Sequence, residues 1–237
     1  MISNKLRRDG LAPLIAIVGS DGSGKTTLSL DLKHWLEQSR PVEYSYLGLR
    51  SNDVDQWIKS MPVIGQRVSD YFTKRAGQAR KKEGKISGPG TAMVLYGFSL
   101  IRKRRFAAMM AKRRRGVLMI TDRYPQTEVP GFYDGPGLSA ARGEGGVVRW
   151  LTRREYKLYE QMASIKPDLV IRLNIDIDTA LARTNNHQRD LLEAKIAVTP
   201  KLKFGGAHIV DLSAAAPYEQ VLANAKQAVQ AMLDSRR

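Results

Sequence analysis

The run Leu14-Ile15-Ala16-Ile17-Val18, followed by Gly19-Ser20-Asp21-Gly22-Ser23-Gly24-Lys25-Thr26-Thr27, decides how this chain folds. Five apolar residues between Pro13 and Gly19 suit a strand covered on both faces, as in a parallel sheet. The nine residues after them meet the spacing G-x-x-x-x-G-K-[ST] at Gly19, Gly24, Lys25 and Thr26. Glycines let backbone N–H groups close around phosphates, Lys25 can reach the β and γ oxygens, and the Thr26 hydroxyl suits a place on Mg²⁺. A helix beginning here aims the positive end of its dipole at the same anion. Strand, loop and helix signals in this order predict an ATP-binding phosphate loop over residues 19–27.

Working outward, the 237 residues are 43% hydrophobic and 26% charged, enough for one α/β domain with a real core, so a single domain over 1–237 is expected. With no cysteine there is no disulfide, thiolate metal site or cysteine nucleophile, and three histidines make a histidine-rich metal site a poor prospect. The lack of cysteine fits a cytoplasmic protein. Lys5, Arg7 and Arg8 ahead of the apolar run imitate a signal peptide, but Pro13 interrupts that run and it flows into the phosphate loop, so a first strand explains it better. No stretch reaches the ~18 uninterrupted apolar residues of a membrane span.

The charge is uneven. Lys and Arg number 39 against 23 acids, a net +16, and the segment 74–115 holds fourteen basic residues with Glu83 as its one acid. A field of that kind attracts phosphorylated substrates, acidic membrane surfaces or nucleic acid, and a solvated basic helix face is the plainer alternative. An anionic partner for 74–115 and a homodimer are the partner expectations beyond a small-molecule acceptor.

Along the chain, helix and strand signals alternate. Leu28, Leu32 and Trp35 recur at helical spacing over 26–38; 42–49 reads as a second strand, and 54–82 as weak helix broken by Pro62 and Gly65. A long helix is predicted from Thr91 to about Arg115, then a central strand 117–121 with Asp122, Arg123 and Tyr124 at its carboxyl end, where ligands bind in open α/β sheets. Residues 125–146, rich in glycine, read as a long substrate-side loop. A helix over 148–164, a strand over 169–173, helices starting near Asp178 and Asp190, a strand over 207–212 and a helix over 217–233 complete the pattern. The predicted fold is a three-layer α/β sandwich of the P-loop type, with a parallel sheet of about five strands flanked by helices.

Several machines share such a loop. No N-K-x-D motif supports a Ras-like GTPase, and Asp122 is followed by Arg123, not by the second acid usual in hydrolytic motors. An acid and an arginine at the end of a central strand suit phosphoryl transfer between two bound phosphate groups, the acid helping to order Mg²⁺ and the arginine clamping an acceptor phosphate.

The chain resembles the thymidylate kinase family in GSDGSGKTT (19–27), LYGFSLIR (95–102), ITDRY (120–124), LVIRLNIDIDTALAR (169–183) and IVDLSAAAPYEQV (209–221). The resemblance implies transfer of the ATP γ-phosphate to a nucleoside monophosphate such as dTMP. It implies that Asp21 meets the acceptor's sugar, that Phe98 and Arg102 stack on and hydrogen-bond its base, and that Arg123 grips its phosphate beside Tyr124. Thr26 and Asp122 stand near the metal. Arg183 and Arg189 bracket a lid over 183–190 that contains Asn185, Asn186 and His187. Because Gly22, not an arginine, follows Asp21, the chain resembles the variety that supplies its catalytic arginine from the lid. It departs from the family at PQTEVPGFYDGPGL (125–138) and in the basic segment, both on the acceptor side.

Two other functions remain open on the residues. A kinase of a hydroxyl acceptor, such as a nucleoside, sugar or lipid precursor, would need a proton acceptor, for which Asp21 or Asp122 could serve. A nucleotide-dependent binding protein would use its basic helices on a membrane or nucleic acid.

Overall fold

Five parallel strands in the order β2-β3-β1-β4-β5 form the sheet. The computed structural model describes residues 10–48, 88–132, 134–140, 145–184 and 189–236. In chain order its elements are β1 (Leu14–Gly19), α1 (Lys25–Glu37), β2 (Val42–Tyr46), α2 (Pro89–Arg114), β3 (Leu118–Asp122), α3 (Gly146–Ala163), β4 (Leu169–Asn174), α4 (Ile177–Ala182), α5 (Arg189–Val198), β5 (Ile209–Ser213) and α6 (Tyr218–Asp234). Short 3₁₀ turns lie at Leu138–Ala140 and Thr199–Lys201. This is the α/β sandwich that the alternating pattern predicts.

The burial of the strands follows their position. β1 and β3, in the middle, are buried throughout, whereas the edge strands β2 and β5 carry partly exposed residues. That is why the two short runs at 14–18 and 118–120 are continuously apolar. Helices cover the sheet with faces spaced three and four apart: Leu28, Leu32 and Leu36 on α1, and Val221, Ala225, Val229 and Leu233 on α6, all in one cluster with Ile15, Ile17, Ile120 and Ile171. Each leucine or isoleucine buried there stabilises the fold by about 1.5–3 kcal/mol.

β1 has β3 on one side and β4 on the other, and its own crossover runs toward β2 while the later crossovers run the other way. Such a reversal opens a crevice at the carboxyl end of β1, where the phosphate loop begins. The strand expected over 42–49 stops at Tyr46, because Tyr46 pairs with Asp122, the last residue of β3. The expected weak helix over 54–82 lies outside the described residues.

The chain divides into two compact units: one of residues 1–47, 105–124 and 165–237, which holds the sheet, and one of 48–104 and 125–164. At the amino end of the sheet, in the first unit, the Asp168 side chain is 4% exposed and multiply bonded. Its Oδ2 accepts the Leu14 N–H at 2.8 Å and lies 3.2 Å from an Arg113 nitrogen, and its Oδ1 lies 2.5 Å from Arg236. Arg113 also donates through Nε to the Ala12 carbonyl at 2.8 Å, and Arg236 to the Leu11 carbonyl at 2.8 Å.

In the second unit the described residues of the glycine-rich stretch form a folded loop. Gln126 is buried and donates to the carbonyls of Val129 and Phe132 at 2.8 and 2.6 Å, while its own oxygen accepts the Val129 N–H. The buried Glu155 of α3 accepts from Ser99 Oγ and from the Leu138 N–H, each at 2.7 Å. A side chain that satisfies several backbone groups does in this loop what a sheet ladder does elsewhere.

Candidate functional site

β1 feeds the loop into the crevice with Ile17 paired to Asp122 on one side and Gly19 paired to Leu173 on the other. At Gly19 a Cβ would come within 2.7 Å of both the Leu173 carbonyl oxygen and Ser23 Oγ, so only glycine passes so close to β4. Gly22 holds φ +82°, and a Cβ there would stand 3.0 Å from the Ala180 carbonyl of α4. The Ser20 carbonyl fixes the turn by accepting three bonds, from the Ser23 N–H at 3.3 Å, Ser23 Oγ at 2.8 Å and Lys25 Nζ at 2.6 Å. Helix α1 starts at Lys25, and the N–H groups of its first turn have no intrahelical partner, the arrangement that receives a phosphate.

Cations converge on Asp21. Lys195 of α5 donates to Asp21 Oδ2, and an Arg123 nitrogen lies 3.4 Å from Oδ1. Burial alone would raise the Asp21 pKa, but the hydrogen bond and charge of Lys195, followed by the charges of Lys25 and Arg123, hold it at about 2. Asp21 is therefore an anion at neutral pH. The side chains of Asp21, Arg123 and Lys195 are 19%, 36% and 37% exposed, so the group faces solvent.

Arg123 adopts φ +57°, a left-handed backbone that costs a non-glycine residue about 1–2 kcal/mol. The turn separates the two side chains after Asp122. Arg123 reaches Asp21, whereas Tyr124 goes into the core, 2% exposed, with its ring edge-on to Phe106 and Phe204 and its hydroxyl donating to the Ile165 carbonyl at 2.5 Å. This corrects the reading of Tyr124 as a substrate contact: its one polar atom is spent inside the fold.

Asp122 is buried at the end of β3. Burial, then the neighbouring charge of Asp122 and a hydrogen bond to it, push the Tyr44 hydroxyl well above its usual pKa. Thr26 is exposed on the first turn of α1. A hydroxyl and a carboxylate are hard oxygen donors that fit Mg²⁺. No group of three or more His, Cys, Asp or Glu forms a metal cage among the described residues.

The chain is 45% identical over 221 residues to YghS, an uncharacterized ATP-binding protein of Escherichia coli strain K12, covering 93% of both chains. It is 38% identical over 227 residues to YghR, an uncharacterized ATP-binding protein of the same strain, covering 94% of this chain and 90% of that one. The chain belongs to the YghS/YghR family. No family model matches it.

In this YghS/YghR-family chain the other residues singled out by sequence fall in two places. In the first unit, Arg183 caps α4 and donates to the Ala214 carbonyl at 2.8 Å, and the exposed Arg189 lies between Glu193, at 2.9 Å, and Asp178, at 3.2 Å. The lid residues Asn185, Asn186 and His187 lie outside the described residues. In the second unit, Phe98 and Arg102 share one face of α2 and both are buried. Arg102 donates to the Asp134 carbonyl at 3.0 Å and to its carboxylate at 2.7 Å, and lies 5.7 Å from the centre of the Tyr159 ring.

The basic segment 74–115 is described from residue 88. Within it Arg102 and Arg113 are buried in ion pairs and Lys112 pairs with Glu43, while Lys103, Arg104, Arg114 and Arg115 are exposed. Part of the charge excess is thus structural.

Lys195 and Tyr44 are the site residues that sequence reasoning missed. Lys195 is one lysine on a helix with no motif around it, and only its position just after the lid could have drawn notice. Tyr44 hides in a strand whose tyrosines read as ordinary β-formers.

Proposed function

We propose that this protein is an ATP-dependent phosphotransferase similar to thymidylate kinases, moving the γ-phosphate to an acceptor that carries its own phosphate. The observation that carries the proposal is the convergence of Arg123 and Lys195 on Asp21 in the loop that holds Lys25. Several cations around one carboxylate leave unbalanced positive charge where phosphates would lie. The ATP-binding character of YghS and YghR supports the nucleotide half of the reading.

The chain's own groups divide the work. Lys25 and the first turn of α1 bind the triphosphate, and Arg123, turned out by its left-handed backbone, orients the acceptor phosphate. A phosphate acceptor attacks through an oxygen that is already ionised, so no general base is required. In the resting site Asp21 serves as the carboxylate partner of Lys195 and Arg123. Thr26 and Asp122 would hold Mg²⁺, which would supply charge neutralisation to the phosphates.

Gly22 supports the assignment of lid arginines to catalysis. A positive φ and the Ala180 carbonyl leave its position unfit for an arginine, and Arg183 and Arg189 are the candidates to supply that charge. Contacts to thymine are not part of the proposal, since Phe98 is buried and Arg102 gives its donors to Asp134. Nucleoside monophosphates, dTMP among them, head the acceptor panel.

Labelled ATP incubated with monophosphates, nucleosides and phosphosugars tests the reading. Label in a phosphoanhydride product is expected. Label only on hydroxyl compounds would overturn it.

A further inference from the structure

Two lysines rest on neighbouring oxygens of the phosphate loop. Lys25 Nζ lies 2.6 Å from the Ser20 carbonyl, and Lys195 Nζ donates to the Asp21 carboxylate from α5, 174 residues away in sequence. The lysine of such a loop reaches the β and γ oxygens of a bound triphosphate, so the resting place of Lys25 marks the γ end of the cradle. Lys195 brings a second ammonium to the very next residue.

Its tie to Asp21 is exchangeable. The lysine is 37% exposed and sits on a flexible four-carbon stem, so its part-buried ion pair with Asp21 can be left without stranding the ammonium away from solvent. A phosphoryl oxygen of higher charge is the stronger acceptor. When Lys195 leaves, Asp21 keeps Arg123 as a partner at 3.4 Å, so the exchange strands no carboxylate.

We infer that Lys195 is a ligand of the γ-phosphate, released from Asp21 when ATP enters and held on the phosphoryl group as it moves. The inference rests on the phosphotransferase reading for its chemistry. In that step the bond from Pγ to the β–γ bridging oxygen breaks, with its electron pair staying on ADP. An ionised acceptor oxygen forms the new bond to Pγ, and no proton changes hands. Lys195 and Lys25 together neutralise the charge on the group in flight. ADP lacks the γ group, so a ligand of that group is expected to act on ATP alone.

Calorimetric affinities for ATP and for ADP, measured on the wild-type chain, Lys195→Ala and Lys195→Arg, test this without turnover. Lys195→Ala is expected to weaken ATP about tenfold, the worth of one charge-assisted hydrogen bond, with ADP unchanged and the melting temperature kept. Lys195→Arg should recover part of the loss, which a purely structural role of the lysine would not produce. Equal weakening of ATP and ADP, or no change in either, would overturn the inference, as would a rise confined to the acceptor's KM. Failure of the wild type to label any phosphorylated acceptor would instead sink the phosphotransferase reading, and the ATP-against-ADP comparison would still decide the place of Lys195.

Discussion

The two ends of the sheet solve one electrostatic problem in opposite ways. At each end a single carboxylate meets two cations: Asp168 with Arg113 and Arg236 at the amino end, Asp21 with Arg123 and Lys195 at the carboxyl end. Asp168, Arg113 and Arg236 are only 4%, 1% and 10% exposed, and backbone groups of Leu14, Ala12 and Leu11 use up further valences. The Asp21 group is half open and ends in a lysine that can swing away. A cluster whose side chains are buried and bonded to the backbone of Leu14, Ala12 and Leu11 fixes the strands, whereas, on the inference above, the more open one trades a carboxylate for an incoming phosphate.

The largest effect is expected at the amino end. Asp168→Ala leaves two arginines buried without their carboxylate and should cost about 3–5 kcal/mol in urea unfolding. Asp21→Ala, in the half-open cluster, should cost less in the same assay, about 1–2 kcal/mol. Equal costs would break the contrast between the two ends.

Activity should respond in the reverse sense. Lys25→Ala and Arg123→Ala are each expected to lower transfer by about 10²–10³-fold, the usual loss for one charge-stabilising group. Arg123→Ala should leave ATP affinity nearly intact. If it weakens ATP binding as much as Lys25→Ala does, Arg123 does not belong to the acceptor.

Gly22→Ala comes next. Its left-handed backbone and its closeness to the Ala180 carbonyl should make the substitution cost about 1–3 kcal/mol, read as a lowered melting temperature.

The smallest effect lies in pH. The Asp21 pKa falls from 3.8 in the unfolded chain to about 2 in the folded one, so its ionised form contributes stability above pH 4 that is lost as pH falls toward 2. Wild type and Asp21→Asn should therefore converge in stability across that window and differ by a constant amount above it. A gap that widens on acidification would show that Asp21 is not held as an anion.

The fold was legible because its signals are local. An apolar run, a glycine-rich turn and a helix pattern define β1, the loop and α1 with no knowledge of the rest, and the central strands announce themselves as unbroken hydrophobic stretches. The place of Asp122 and Arg123 at the end of such a strand was legible for the same reason. Tyr124 was misread because its place at the carboxyl end of β3 suggests a ligand contact, and only the fold shows its ring packed against Phe106 and Phe204. Phe98 and Arg102 show the limit of helical spacing: it places them on one face but cannot say that Asp134, 32 residues on, takes the guanidinium. Lys195 was invisible because its partner is set by the crossing of α5 over the loop, a tertiary fact.

The backbone of Arg123 carries a lesson for engineering. A search for stabilising substitutions would flag this position early, since glycine relieves a left-handed residue and gains about 1 kcal/mol where φ is positive. Arg123→Gly would then score as an improved protein in every melting assay while having discarded the group that, on the proposed function, faces the acceptor. Thermostability and catalysis pull on the same residue from opposite sides, so a library of this chain sorted by heat resistance alone should drift toward inert variants.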